Sequence, residues 1–393
     1  MVWLPARNLK MPLKKSSRGQ VPPFIVMDVM REANWLEAAG RDILHLEVGQ
    51  PSTAAPAGVL EAARKAMDTD KLGYTEALGI PQLRSRIAQH YRDMYGIDLA
   101  EDRVVVTTGS SGGFMLAFLS AFDAGDRVAL ADPGYPAYRN ILESLGIEIV
   151  GLPATADERY QPTPALLDAI PGDIDGLIVA SPANPTGTML SDADMKSLTD
   201  YCGDRGIRFI SDEIYHGITY DRPEVSALSH TQSAFVINSF SKYYSMTGWR
   251  VGWMIVPEDL HRSVECLAQN IFISVPALSQ HAALAAFDCT EELDGNVARY
   301  AANRDLLLRE LPRAGLDWFA PADGAFYIYA DVGHLTNDSE EFCRRMLVEA
   351  GIATAPGKDF DRDRGRSTIR LSFAGDKETM ARAMARLKHW IGR

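Results

Sequence analysis

The feature that most constrains the fold is an alternation of short apolar runs with helical patterns between residues 104 and 256. Continuous apolar runs occupy residues 104–107, 128–131, 147–152, 177–181, 208–211, 235–239 and 251–256. Runs of this kind are typical of strands buried on both faces, and intervening helices join such strands in parallel. The pattern therefore predicts an α/β fold with a mostly parallel central sheet flanked by helices, and ligands at the carboxyl ends of the strands.

Outside this region the pattern predicts a smaller α+β domain. Helical periods cover residues 258–287, 291–313, 339–349 and 377–391, with strands at 326–330 and 368–373. Near the N-terminus, Asp28 is expected to cap a helix over residues 29–39 that ends at Gly40. We predict an N-terminal arm over residues 1–27, a small domain from residues 28–49 and 288–393, and a large domain over residues 50–287.

Composition excludes several classes of protein. The 393 residues carry a net charge of −12, which argues against a nucleic-acid binder. The four cysteines form no C-x-x-C pair, so neither a zinc site nor a disulfide framework is indicated. The sequence has no apolar run of 18 residues, so no membrane span is expected, and reduced thiols favour a cytoplasmic location.

The stretch 236–250 holds the candidate chemistry. Ser239, Ser241 and Arg250 could together bind a dianionic phosphate through two hydroxyls and one guanidinium. Between them Lys242 stands among aromatic residues, where burial and a neighbouring cation favour a neutral, nucleophilic amine. A phosphate site beside such an amine suggests a Schiff base with pyridoxal phosphate (PLP), although a solvated lysine after a strand is the simpler alternative.

A second phosphate-binding turn lies at the start of a helical segment. Ser110 and Ser111 follow a strand, and helix N-termini present free N–H groups to anions. The same turn matches G-x-S-x-G through Gly109, Ser111 and Gly113, so an α/β serine hydrolase using Ser111 is an alternative. The S-x-x-K pattern that Ser239 begins lacks the companion motifs of serine acyltransferases.

Other strand ends carry polar or aromatic residues. A buried Asp212 needs a cationic partner, which a protonated pyridine nitrogen would supply, and Tyr215 could donate to the ring's phenolic oxygen. Asn184 offers an amide at a fixed place, and Tyr135 could stack on a flat ring. The lone Arg370 in an apolar strand is expected to meet a carboxylate from the protein or a substrate.

In matching order over nearly the whole chain, the sequence resembles the class I and II aminotransferases, PLP-dependent enzymes of fold type I. The segments that carry the resemblance are 48–51, 73–74, 109–111, 134–136, 184–187, 212–215, 239–242, 248–250 and Arg370. The resemblance implies a homodimer with shared active sites that moves an amino group from an L-amino acid to a 2-oxo acid.

The resemblance also implies a role for each matching residue. Lys242 would form the Schiff base and move the proton, Asp212 would pair with the pyridinium nitrogen, and Tyr135 would stack on the ring. The ring's 3-oxygen would accept hydrogen bonds from Tyr215 and Asn184. The phosphate would be held by Ser110, Ser111, Ser239, Ser241 and Arg250, with Tyr74 of a second subunit. The substrate carboxylate would bind Arg370, with Gly49 and Asn184 nearby.

One departure from the family bears on specificity. Relatives that prefer dicarboxylates can carry a lysine at the position of Ser111, and the serine here leaves no evident cation for a distal carboxylate. The sequence therefore favours neutral or aromatic amino donors. C–S β-lyases and cyclopropane-forming synthases of the same family remain alternative activities. A non-catalytic PLP-binding regulator is a further alternative, but residues 1–27 leave no room for a DNA-binding domain.

Overall fold

A computed structural model describes residues 13–392 of the chain. The strands are β1 (Leu44–His45), β2 (Val104–Thr107), β3 (Arg127–Asp132), β4 (Glu148–Pro153), β5 (Gly176–Ala180), β6 (Arg208–Asp212), β7 (Phe235–Ser239), β8 (Gly252–Ile255), β9 (Tyr327–Asp331), β10 (Ile352–Ala353), β11 (Ala355–Pro356) and β12 (Thr368–Ser372). The helices are α1 (Ile25–Ala38), α2 (Ala57–Thr69), α3 (Pro81–Tyr95), α4 (Gly109–Ala121), α5 (Pro136–Leu145), α6 (Pro164–Asp168), α7 (Asp192–Arg205), α8 (His261–Ile271), α9 (Ala277–Ala286), α10 (Thr290–Glu310), α11 (Ser339–Arg345) and α12 (Lys377–Ile391).

The predicted mostly parallel sheet is confirmed. Its seven strands run in the order β2-β8-β7-β6-β5-β3-β4, and only β8 is antiparallel to its neighbours. Alternate residues of one strand enter different apolar clusters: Val104 and Val106 pack into one, and Val105 packs into another. Helices therefore cover both faces, which explains why the strand residues are continuously apolar.

Two smaller sheets lie outside the large one. Strands β11, β12 and β9 form an antiparallel sheet, and β1 pairs in parallel with β10. The pairing of β1 with β10 joins the segment after helix α1 to the C-terminal part of the chain. This supports our proposal that residues 28–49 and 288–393 form a small domain and residues 50–287 a large one.

Two of the predicted helices have wrong limits. Helix α1 begins at Ile25 rather than after Asp28, because the carboxylate of Asp359 accepts hydrogen bonds from the Ile25 and Val26 N–H groups at 3.1 Å. The predicted arm over residues 1–27 therefore ends in helix, and its first twelve residues lie outside the described range.

The helix predicted over 258–287 is two helices, α8 and α9. The chain turns between them, where Ile273 has a φ of +65° and Pro276 precedes the first residue of α9. Helix α4 starts at Gly109, and its glycines allow the helix to pack closely on the sheet: a Cβ on Gly113 would lie 3.3 Å from Ile237 Cγ2.

Between residues 13 and 392, no helix is long and apolar enough to cross a membrane. Over the same range, no group of three or more His, Cys, Asp or Glu side chains is arranged to hold a metal ion.

Candidate active site

A cavity of about 370 Å³ lies at the carboxyl ends of the central strands. Eleven sequence-predicted site residues line it: Gly49, Ser110, Ser111, Tyr135, Asn184, Asp212, Tyr215, Ser241, Lys242, Arg250 and Arg370. These residues come from segments as far apart as the N-terminal region and strand β12, so the fold brings the predicted constellation together in one place.

Lys242 stands on the turn that follows strand β7. Its Nζ donates a hydrogen bond to the Gly49 carbonyl oxygen at 2.5 Å. Burial, together with the positive charge of Arg370, lowers the pKa of Lys242 to about 8, although the negative charge of Asp212 opposes the shift. The environment therefore favours the neutral, nucleophilic amine that the sequence predicted.

Asp212 ends strand β6 and is buried. Its Oδ1 accepts a hydrogen bond from the Ile214 N–H at 3.1 Å, and its Oδ2 accepts one from the Tyr138 hydroxyl. Burial raises the pKa of Asp212 to about 6, although both hydrogen bonds oppose the rise. Within the described residues its carboxylate has no salt-bridge partner, so the site holds a buried anion that lacks a cation of its own.

The first turn of helix α4 faces Arg250 across a narrow gap. A Cβ on Gly109 would lie 2.6 Å from Arg250 Nη2, so only glycine leaves room for the guanidinium here. Ser110 and Ser111 follow in the first helical turn, whose N–H groups lack intrahelical partners. These two serines, Ser241 and Arg250 all line the cavity, and together they form a cradle suited to a phosphate.

Two predicted cofactor residues do not line the cavity. Ser239 lies behind Ser241: its Oγ is 2.8 Å from Ser241 Oγ and 3.1 Å from the Val251 carbonyl oxygen. In this structure Ser239 therefore contacts Ser241, and its expected direct phosphate contact stays a prediction. Tyr74 is 85% exposed and does not line the cavity of its own chain.

Arg370 is buried and also lines the cavity. Its Nη1 donates to Asn184 Oδ1 at 2.8 Å, and its Nη2 donates to the Glu47 carbonyl oxygen. The guanidinium carbon lies 4.4 Å from the ring centre of Tyr327 and 4.7 Å from that of Phe360. Its Nε has no partner within the described range, and no protein carboxylate there forms a salt bridge with Arg370.

Four tyrosines line the same cavity as Asp212. Tyr135 and Tyr138 pack edge to face at 5.2 Å, and Tyr215 Oη lies 2.6 Å from Tyr327 Oη. Burial raises the pKa of Tyr135 to about 12, and it raises the pKa of Tyr215 well above its usual value. These hydroxyls therefore remain protonated donors at neutral pH.

Sequence reasoning missed several residues of this site. Tyr138, three residues after Tyr135, fixes the Asp212 carboxylate, and Tyr327 lies under Arg370. Gly49 must be glycine because a Cβ there would overlap the Tyr327 hydroxyl. Neither Tyr138 nor Tyr327 belongs to a recognisable motif. The three-residue spacing of Tyr135 and Tyr138 at the start of a helix could have indicated that both side chains face the same site.

The residues present fit PLP. A buried carboxylate without a cation suits a pyridinium nitrogen, an amine of lowered pKa suits an aldehyde, and the glycine-lined cradle at Gly109 suits the phosphate. The hydrolase alternative needs a histidine paired with Ser111. The described residues that line the cavity include no histidine.

Comparisons with known proteins find relatives over nearly the whole chain. A valine–pyruvate aminotransferase of Mycobacterium tuberculosis is 51% identical over 383 residues, which covers 95% of this chain and 97% of the relative. A crystal structure of an aminotransferase from the same organism has a TM-score of 0.95 at 49% identity and covers 97% of this chain and 100% of the other. An aspartate aminotransferase of Thermus thermophilus with maleate has a TM-score of 0.90 at 29% identity, covering 96% of this chain and 100% of that one.

The sequence profile of the family described as "Aminotransferase class I and II" matches residues 41–387. The relatives and structural neighbours support amino-group transfer better than the lyase or serine hydrolase alternatives. The chain therefore belongs to the class I and II aminotransferases, and it is a PLP-dependent enzyme of fold type I.

Proposed function

We propose that the enzyme takes the amino group of a neutral, apolar L-amino acid and transfers it to a 2-oxo acid, with Lys242 as the catalytic residue. The observation that carries the proposal is the placement of Lys242 in one cavity with Arg370 and Asp212. A buried guanidinium with a free Nε, an amine of lowered pKa and a buried carboxylate supply what an amino acid and PLP each require.

Arg370 is the proposed binding site of the substrate α-carboxylate. Its guanidinium already lies between two aromatic rings, and the described residues leave it without a carboxylate partner. A carboxylate that arrives beside it gains a charge-assisted hydrogen bond in a buried setting, where such bonds are strong. Asn184 holds the guanidinium in place at 2.8 Å.

Lys242 is the proposed acid and base at the substrate α-carbon. When bound, PLP stabilises the negative charge that develops at that carbon. With a pKa of about 8, the amine of Lys242 is partly neutral near pH 7.5, so its Nζ can take the α-proton and return it to the product. The negative charge of Asp212 opposes the lowering of the Lys242 pKa. The Tyr138 hydroxyl donates a hydrogen bond that holds the Asp212 carboxylate in place.

The amino donor is proposed from two features. The described residues that line the cavity carry three cations, Lys242, Arg250 and Arg370, and each already has a role. None remains for a side-chain carboxylate, and Ser111 stands where dicarboxylate-preferring relatives can have lysine. The printed name of the Mycobacterium tuberculosis relative, a valine–pyruvate aminotransferase, also supports an aliphatic donor and a small acceptor.

A screen of the twenty amino acids tests this proposal. The PLP-loaded protein is mixed with each amino acid without acceptor, and the loss of the cofactor's visible absorbance gives the rate of the first half-reaction. We expect fast reaction with valine, alanine and other neutral donors and a rate at least tenfold lower with aspartate. An enzyme that prefers aspartate, or that releases pyruvate from cysteine conjugates without amino transfer, would refute the proposal.

We also infer a homodimer in which Tyr74 of one copy reaches the phosphate cradle of the other. The exposure of Tyr74, 85%, and its absence from the cavity lining of its own chain support this inference. Mixing the inactive variants Lys242→Ala and Tyr74→Ala should restore activity, because one site of a mixed dimer receives both native residues. A monomer in sedimentation experiments at full activity would rule it out. The cytoplasmic location stays a prediction.

A further inference from the structure

One wall of the cavity comes from helix α1, which the sequence analysis assigned no function. Phe24, Val26, Met27 and Met30 line the cavity. Met27 and Met30 are three residues apart and share one face of helix α1, and Phe24 directly precedes that helix. This wall is apolar throughout, and it lines the same cavity as Arg370.

The chemistry of the wall suits an adaptable apolar surface. Met27 is 45% exposed although it is apolar, and methionine side chains adjust their shape to different partners because they are unbranched and polarisable. Phe24 packs edge to face with Tyr135 at 5.7 Å, which ties the wall to the neighbouring turn. An apolar substrate side chain in contact with this wall would bury apolar surface, and the burial would strengthen substrate binding.

Asp359 holds the helix that carries the wall. Its Oδ1 and Oδ2 accept hydrogen bonds from the Ile25 and Val26 N–H groups, both at 3.1 Å. The residue before the helix, Phe24, has no side chain that can cap it, so Asp359 satisfies free N–H groups that would otherwise lack a cap. Asp359 itself is buried at 4% exposure.

The next residue, Phe360, connects the same segment to the rest of the site. Its ring lies 4.7 Å from the guanidinium carbon of Arg370. Its carbonyl oxygen accepts hydrogen bonds from the Gly134 N–H at 3.0 Å and from Arg139 Nη1 at 2.9 Å. Residues 359 and 360 therefore contact the apolar wall, the buried arginine and the turn before Tyr135 at once.

We propose that Phe24, Met27 and Met30 form the subsite that selects the substrate side chain, and that Asp359 is the positioning residue that keeps this wall on the cavity. The inference rests on the proposed function in that the selected ligand is an amino acid. It adds residues that decide between small and larger apolar side chains. Alanine would leave the wall largely uncovered, whereas valine or leucine would contact it.

The first test compares donors in the double variant Met27→Ala/Met30→Ala. Because a methylene contact in an apolar pocket is worth about tenfold or more in specificity, kcat/KM for valine should fall about tenfold or more relative to that for alanine. The matched control is Trp35→Ala on the same helix, since Trp35 is 69% exposed and does not line the cavity. The control should leave the ratio unchanged. An equal loss for valine and alanine in the double variant would overturn the proposal.

The second test separates positioning from catalysis. Asp359→Ala should raise KM for valine several-fold and change kcat little, and Asp359→Asn should restore most of the loss because the amide oxygen still accepts an N–H. A fall in kcat with unchanged KM, or equal behaviour of the two variants, would contradict a positioning role.

A binding measurement keeps this inference distinct from the proposed function. Isovalerate has the carbon skeleton of valine without the amine, and acetate is its small counterpart. Calorimetry on the PLP-loaded protein should show tighter binding of isovalerate than of acetate, and the double methionine variant should lose about tenfold of that preference. If wild type transfers no amino group but this preference is present and lost in the variant, only the proposed function fails. If wild type transfers amino groups but does not prefer isovalerate to acetate, only the proposed side-chain subsite is refuted.

Discussion

Replacing Asp212 by asparagine should stabilise the cofactor-free protein while weakening its hold on PLP. Burial raises the pKa of Asp212 from 3.8 to about 6, which corresponds to a cost of about 3 kcal/mol for its charged form at neutral pH. Asparagine removes that cost but weakens the hydrogen bonds from Tyr138 and the Ile214 N–H, worth about 1 kcal/mol each. The net gain in unfolding free energy should be about 1 kcal/mol.

The pH dependence gives the sharper signature. Between pH 3.8 and about 6 the native carboxyl binds a proton that the unfolded one has released, so this group's contribution to stability falls as pH rises through that window. Above pH 6 the carboxylate is charged in both states, and burying its charge reduces the stability by the full amount. In Asp212→Asn this part of the pH dependence disappears. The unfolding free energy of the variant, relative to that of wild type, should therefore increase between pH 4 and pH 7.

The assay is urea unfolding of cofactor-free wild type and variant at pH 4.5, 5.5, 6.5 and 7.5, with the PLP dissociation constant measured in parallel. Asp157→Asn is the control, because Asp157 is exposed and should give no pH-dependent difference. PLP affinity of Asp212→Asn should fall at least tenfold, since the pyridinium loses its counter-charge. A variant that is less stable than wild type at pH 7.5 and equally so at pH 4.5, or that binds PLP as tightly, would refute the reasoning.

Three other substitutions follow from the site. Lys242→Ala should abolish turnover while PLP still binds weakly, as read by fluorescence titration; measurable turnover would exclude Lys242 as the catalytic residue. Arg370→Ala should cost roughly 2–5 kcal/mol of substrate binding, seen as a large rise in KM, with PLP affinity little changed; a collapse of PLP affinity would place Arg370 elsewhere in the mechanism. Gly109→Ala should weaken PLP binding because its Cβ would lie 2.6 Å from Arg250 Nη2, whereas Gly203→Ala, with open space around it, should not; equal effects would exclude a cradle at Gly109.

The parts of the fold that the sequence predicted well have local causes. Strands β2 and β7 read as continuous apolar runs because helices cover both faces of the sheet, and their limits were predicted without error. Lys242 and Asp212 were recognisable because a lysine or a buried aspartate after an apolar strand needs an explanation from its surroundings.

The parts that were missed depend on distant residues. The start of helix α1 is set by Asp359, which is 334 positions from Ile25 along the chain, so no local capping pattern could have placed it. The apolar wall was missed for the same reason, because only the folded chain brings Met27 and Met30 into one cavity with Arg370. Tyr327 was missed for a similar reason: an aromatic residue in a strand predicts core packing, and its position under Arg370 is a tertiary contact.

The central claim is that Lys242 is the residue that binds PLP covalently, and reduction with borohydride tests it most directly. The PLP-loaded protein is reduced, digested and mapped by mass spectrometry. We predict that the phosphopyridoxyl group is found on the peptide that contains Lys242 and that this peptide is unlabelled when PLP is omitted. Label on a different lysine, or a protein that takes up no PLP, would contradict the account.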